Sequence, residues 1–190
     1  MTHRIAAWFP LLLIAALAAL TYWLDRAVQP PVPPRDGSGR HDPDYIVENF
    51  VSVRMGPAGT PVHELAASRM MHYPDDDTTH LESPRFVRFD PPRPQLAITA
   101  KRALVSPKGE HVYFHGDVRA VRAGSAARSE MTLTTEYLEV IPDLEVARTD
   151  RPVVIVDANT KVTAVGLELN SKTQTVNLLA NVRGTYVRPK

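Results

Sequence analysis

The chain has 190 residues, no cysteine and a formal net charge of +1. Near-neutral charge argues against a nucleic-acid binder, which would carry a basic face. The lack of cysteine excludes a disulfide framework, thiol catalysis and cysteine-held metals, and 44% hydrophobic residues is enough for one core in one domain.

Residues 1–4 form a short tail with Arg4, and 5–24 carry no charge. Twenty helical residues reach about 30 Å, the thickness of a bilayer's hydrocarbon core. Trp8 sits near one end, and Tyr22 and Trp23 near the other, as an aromatic belt requires. The expectation is a transmembrane helix over 5–24 with a cytoplasmic N-terminus. The competing reading is a cleaved signal peptide with Ala16-Leu17-Ala18 as its small-residue site. Against it, the apolar run continues to Leu24 and the preceding segment holds one arginine.

Residues 25–43 are expected to be a linker. Pro30, Pro31, Pro33 and Pro34 favour extended polyproline II, and Gly37 and Gly39 loosen it. From 44 to 190 the pattern is one of strands and turns. Val51, Val53 and Met55 alternate with polar residues before Gly56-Pro57. Residues 65–73 have a spacing that also suits a helix, but in a chain of strands they are read as a strand, with a turn at 74–77. Further strands are expected at 86–89, 96–104, 131–141, 152–156, 160–169 and 175–187. Many short strands with short connections predict an all-β, antiparallel sandwich, barrel or roll.

The clearest alternation is in 112–120, V-Y-F-H-G-D-V-R-A, and it returns sixty-four positions later in 176–184, V-N-L-L-A-N-V-R-G. Val112, Phe114, Gly116 and Val118 share one phase, and Val176, Leu178, Ala180 and Val182 repeat it, as in strands with one face buried. Thr99-Ala100 answers Thr163-Ala164 at the same offset, while Pro74 and Pro84 answer Pro142 and Pro152 at sixty-eight. The difference of four falls at Pro91-Pro92-Arg93-Pro94, a loop insertion. The chain thus reads as a two-fold repeat, 65–122 and 133–186.

No residue constellation carries catalysis. Asp75, Asp76 and Asp77 fit a solvated turn better than a cation loop. His111 and His115 lie about 13 Å apart on an extended strand, too far to share one ion. No serine sits in a nucleophile elbow, and no glycine-rich turn forms a phosphate loop. What remains is surface. The last strand ends near the C-terminus and the first begins at Tyr45, so either edge can accept another chain's strand or be capped by the fold itself.

The order of motifs carries a resemblance. After the apolar segment come Asp42-Pro43-Asp44-Tyr45, Glu48-Asn49-Phe50, Ser68-Arg69-Met70-Met71-His72-Tyr73-Pro74-Asp75-Asp76 and Pro84-Arg85-Phe86. Thr99-Ala100-Lys101-Arg102-Ala103, Gly116-Asp117-Val118, Gly166-Leu167 and Val182-Arg183-Gly184-Thr185-Tyr186 complete it. The whole chain resembles the LptC family of lipopolysaccharide export proteins, within the wider LptA/LptC/OstA family. The resemblance implies a single-pass inner-membrane protein with a periplasmic, slightly open antiparallel β-jelly-roll. It implies a non-enzymatic carrier without a cofactor, which accepts lipopolysaccharide from the LptB, LptF and LptG ABC transporter and passes it to LptA. By the same likeness, the N-terminal edge at Tyr45, Ile46, Val47 and Phe50 would meet LptF and LptG. The C-terminal edge at Asn181, Arg183, Thr185 and Tyr186 would meet LptA. Gly116 and Gly166 match family glycines, where a bulge or a close backbone approach is expected. Val112, Phe114, Val118, Val176, Leu178 and Val182 would line an apolar groove for acyl chains, or pack as a closed core. A membrane-anchored scaffold that pairs strands with proteins without carrying lipid is the alternative.

Overall fold

The computed structural model describes residues 3–28, 41–125 and 128–188, with side chains from Leu12 onward in the first segment and throughout the others apart from Asp90. The chain divides into two compact units, a helix and a β-domain. Helix α1 (His3–Val28) outruns the uncharged segment at both ends. Asp25 and Arg26 stay helical, and the Arg26 guanidinium lies 5.5 Å from the centre of the Tyr22 ring, four residues back. Among the described residues no helix is long and apolar enough to cross a membrane. The described side chains begin at Leu12, inside the uncharged run. The expected linker at 25–43 starts as helix up to Val28, and its residues 29–40 lie outside the described ones.

The β-domain consists of β1 (Tyr45–Met55), β2 (Pro61–Tyr73), β3 (Thr78–Glu82), β4 (Arg85–Asp90), β5 (Arg93–Thr99), β6 (Arg102–Val105), β7 (Val112–Arg122), β8 (Met131–Ile141), β9 (Val146–Val156), β10 (Thr160–Asn170) and β11 (Thr175–Tyr186). They form one antiparallel sheet. β3 and β4 pair with opposite ends of β2, and β5 and β6 with opposite ends of β7. Each couple is therefore one long strand broken in the middle, and the sheet is a meander in chain order with β1 and β11 at its edges.

A line of irregularities crosses this sheet. Asn49, Ser83, Gly116, Asp117, Gly166 and Asn181 all have positive φ. Registers shift in β7–β8 between His115 and Val118, in β8–β9 between Thr135 and Glu139, and in β10–β11 between Thr163 and Val165. The broken strands are joined along the same line, where Ser83 N donates to Lys101 O (2.8 Å) and Lys101 N to Gly116 O (2.9 Å). Bulges bend and twist a strand locally. A bulge at the same level in strand after strand folds the whole sheet. Apart from Ser83, these are glycine, asparagine and aspartate, which enter the left-handed region at least cost.

The folded sheet encloses two clusters of buried side chains. One holds Ala67, Leu81, Ile98, Ala103, Phe114, Val118 and Leu138, the other Leu133, Val153, Ala164 and Leu167. One ion pair displays the folding directly. Arg93 Nη1 donates to Glu145 Oε2 at 2.9 Å. Ladder partners place Ala97 level with Val121, Val121 with Thr132 and Thr132 with Val156. Glu145 lies beyond the far end of β9, so in a flat sheet more than about 35 Å would separate it from Arg93.

Several sequence expectations are corrected. The segment 96–104 is two strands, split at Ala100-Lys101 by the fold line. β3 was not expected, because five residues beside an acidic turn carry little pattern. β9 begins at Val146 and runs through Pro152, which sits where the ladder to β10 is irregular. The repeat is visible in the structure. β2 and β8 stop directly before Pro74 and Pro142, and Asp117 (φ 48°) and Asn181 (φ 52°) hold matching left-handed positions sixty-four residues apart.

Candidate functional site: the interior rows and the two sheet edges

Folding a meander along one line lets rows of side chains run the length of the fold, across every strand. One row follows ladder partners from edge to edge: Tyr45, His72, Thr79, Val105, Val112, Val140, Ala147, Leu169 and Val176. The next row inward holds Val47, Met70, Leu81, Ala103, Phe114 and Leu138, and resumes with Thr149, Leu167 and Leu178. These rows face the core, since Met70, Val105, Val112, Val140, Ala147, Leu169 and Leu178 all pack against buried residues.

The six groove candidates therefore share a face but not an environment. Phe114 and Val118 are 3% and 1% exposed. They sit beside the fold line, where the two halves of the sheet meet, and form closed core. Val112 is half-buried against the first cluster and Leu178 against the second. Val176 and Val182, on the edge strand, are 44% and 52% exposed. Apolar side chains are thus continuous from a closed floor to an open end at β11.

Among the described residues β1 pairs with β2 alone and β11 with β10 alone. Tyr45, Ile46 and Val47 are exposed on β1, while Phe50 turns in against the first cluster. Asn181, Arg183, Thr185 and Tyr186 are exposed on β11. Val51, Val53 and Met55 also project into solvent, on the side of β1 opposite to Phe50. Gly116 and Gly166 have φ of 76° and 79°. A Cβ on Gly166 would stand 2.9 Å from Leu179 Cδ1, whereas one on Gly116 would meet the flexible Lys101 side chain at 3.1 Å.

The β1 edge carries a polar cluster that pattern reading missed. His72 lies between two carboxylates, with Nδ1 2.8 Å from Asp44 and Nε2 3.2 Å from Asp77. Two acceptors favour the doubly protonated ring, so the Asp44 bond first and the Asp77 bond second hold its pKa above the usual histidine value. The Tyr45 ring stacks on it at 4.9 Å, and Asp44 N donates to His72 O at 3.1 Å. His41 stacks on Tyr73 at 4.1 Å and bonds Asp75 at 2.9 Å, which raises its pKa as well. The segment before β1 is thereby tied to the β2–β3 turn. Asp76 accepts from Thr78 N and Oγ1, the turn geometry expected of this acidic run. His41, Asp75 and Asp76 offer ligand atoms within 4.8 Å of one another, all on exposed residues.

A second polar cluster lies on the face opposite to Phe114. Glu139, with its side chain 11% exposed, accepts from Arg148 Nε (2.6 Å) and Nη2 (3.0 Å) and faces His111 Nδ1 at 2.8 Å. Arg148 first, and His111 after it, hold its carboxyl below the usual glutamate value. Its groups satisfy one another, and it joins β8 and β9 to the residue before β7. It forms one wall of a cleft of about 830 Å³ with His115, Tyr137, Asp150, Arg151 and Leu179. No nucleophile is paired with a base in it. The signal in the sequence was slight, since Glu139 and Arg148 are nine positions apart and meet only through the β8–β9 hairpin.

A family model described as "Lipopolysaccharide-assembly, LptC-related" matches residues 11–187. No curated protein sequence matches the chain. Among solved structures, the chain is similar to LptH, the LptA-homologous periplasmic component of the lipopolysaccharide transport device of Pseudomonas aeruginosa. The two share 7% identity and a TM-score of 0.50 over 80% of this chain and 99% of that one, a likeness of fold alone.

Proposed function

The chain belongs to the LptC-related family of lipopolysaccharide-assembly proteins, and we propose that within lipopolysaccharide transport it is the carrier between the inner-membrane ABC transporter and the periplasmic bridge. In this reading it takes lipopolysaccharide from LptB, LptF and LptG and passes it to LptA, with no catalysis or cofactor of its own. Helix α1, 26 residues and so about 39 Å long, is the single inner-membrane anchor. Ile5 to Leu24 cross the bilayer, and the β-domain stands in the periplasm. The β1 edge at Tyr45, Ile46, Val47 and Phe50 meets LptF and LptG. The β11 edge at Asn181, Arg183, Thr185 and Tyr186 meets LptA.

One observation carries the proposal: an interior row runs unbroken in phase from one unpaired edge to the other, from Tyr45 to Val176. Acyl chains must stay out of water, at roughly 0.8 kcal/mol per buried CH₂. An apolar lining that continues to the open β11 edge keeps them covered while strand pairing joins the next module. In this reading Phe114 and Val118 are closed floor, and the carried lipid lies nearer the rim and the β11 end, on Val112, Val176, Leu178 and Val182.

The test is photo-crosslinking in cells. A crosslinker at Val176 or Leu178 is expected to capture lipopolysaccharide in an ATP-dependent manner, and one at Phe114 to capture much less. Protein adducts at Asn181 with no lipid adduct at Val176, Leu178 or Val182 would leave a strand-pairing scaffold and end the carrier reading.

A further inference from the structure

The Arg93–Glu145 pair spans the mouth of the folded sheet, and cations approach the carboxylate from both rims. Arg93 lies at the start of β5, in the Pro-rich insertion of the first repeat. Arg88, on β4, shares an inward row with Leu96 and Arg122. From the opposite rim, Lys172 in the β10–β11 turn donates to Asp143 O at 3.3 Å, beside Glu145. The Glu145 carboxyl is held below its usual pKa by the Arg93 hydrogen bond first, with Arg93, Arg88 and Lys172 adding to it through space. Its carboxylate therefore sits in the field of three cations from two different rims. The Arg88 Nε, like that of Arg122 in the same row, is buried with no hydrogen-bond partner among the described residues, so this inward row holds guanidinium donors left unfilled. The Arg93 and Glu145 side chains are 36% and 27% exposed, so a ligand reaches them from the mouth.

We propose that Arg88, Arg93 and Lys172 form an anion site at the mouth of the fold, occupied in this structure by the protein's own Glu145 and taken over by a phosphate group of the carried lipid. The proposal rests on the carrier reading and adds a subsite to it. Glu145 acts as an internal substitute for the phosphate. While it holds Arg93, the two rims are clasped. A phosphate monoester, with more charge and three acceptor oxygens, takes Arg93 from Glu145 in the field of Arg88 and Lys172 and releases the clasp. A lipid is then admitted by its phosphate and retained by its acyl chains.

The experiment uses the full chain in detergent micelles with three probes: lipopolysaccharide, the same preparation stripped of its lipid A phosphates by phosphatase, and inorganic phosphate as competitor. The wild type is expected to bind the phosphorylated lipid about tenfold more tightly than the stripped one, the scale of one charge-assisted contact. Arg93→Gln and Arg88→Gln should each erase most of that ratio while binding of stripped lipid stays unchanged. Glu145→Gln should raise affinity for the phosphorylated form several-fold. Thermal unfolding of each variant identifies any that fails to fold, and the gain in Glu145→Gln cannot arise from misfolding. Equal binding of the two lipids by every variant overturns the anion site and leaves the carrier standing. Binding of neither lipid overturns both. Competition by inorganic phosphate as strong as that of the lipid would assign the site to a free anion and overturn its role in lipid admission.

Discussion

The two copies of the internal repeat end differently. In the first, β2 to β7, each strand has neighbours on both sides, and Ala67, Leu81, Ala103 and Phe114 are buried. In the second, β8 to β11, the last strand is an edge, and Val176, Leu179 and Val182 stand in solvent. Phe114 and Leu178 occupy the same place, sixty-four residues apart, yet one is core and the other is the open end of a lining. The same alternation therefore has two meanings. A period of two states which side of a strand is apolar. Whether that side is covered depends on the neighbouring strand, and among the described residues β11 has none on its outer side.

Three measurements sharpen this contrast, the largest effect first. Phe114→Ala is expected to cost about 3–5 kcal/mol, as for aromatic truncation in a close-packed core. Leu178→Ala, half-buried, should cost about 1–2 kcal/mol on the same scale. Comparable losses in denaturant unfolding would mean that the second copy is as closed as the first. Next come the glycines. Alanine at either position carries about 1–2 kcal/mol for the left-handed backbone. Gly166→Ala must also displace Leu179, while Gly116→Ala meets only a pliable lysine. The melting temperature should fall further for Gly166→Ala, and the opposite order would show that Leu179 moves freely. The smallest effect compares the two edges by pH. The His72 pKa is raised by folding, so its contribution is fully present below the usual histidine value near 6.5 and is lost as pH rises through the raised value. Intrinsically corrected amide exchange at the start of β1 should quicken from pH 6 to pH 8, and exchange along β11 should not. His72→Gln should remove the difference. A pH-independent β1 edge in the wild type would show that backbone pairing with β2 suffices to hold it.

The four-residue insertion marks the other difference between the copies. It lengthens the β4–β5 hairpin and places Arg93 where it reaches Glu145 across the mouth. The second copy has no counterpart, because Thr160 follows Val156 after a short turn stabilised by Asp157, which accepts from Asn159 N and Thr160 N. One copy carries the clasp and the other the carboxylate that it holds.

The sequence by itself determined the all-β class, the repeat and its offsets, the interior phase of β7 and β11, the turns at Pro74 and Pro142, and the family. Each is a local or periodic property: the side-chain period of a strand is two, proline stops a ladder, and glycine allows a left-handed bulge. Only the tertiary structure decided what lies across the fold. Ser83, Lys101, Gly116 and Gly166 fall on one line only after the strands pair. The split of 96–104 follows from that line rather than from residue preference. His72 between Asp44 and Asp77, Glu139 between Arg148 and His111, and Arg93 on Glu145 join partners from 5 to 52 positions apart. No periodicity encodes such meetings. They arise because a twisted sheet that bends at every strand brings its two rims together, and the charges on those rims are then near enough to matter.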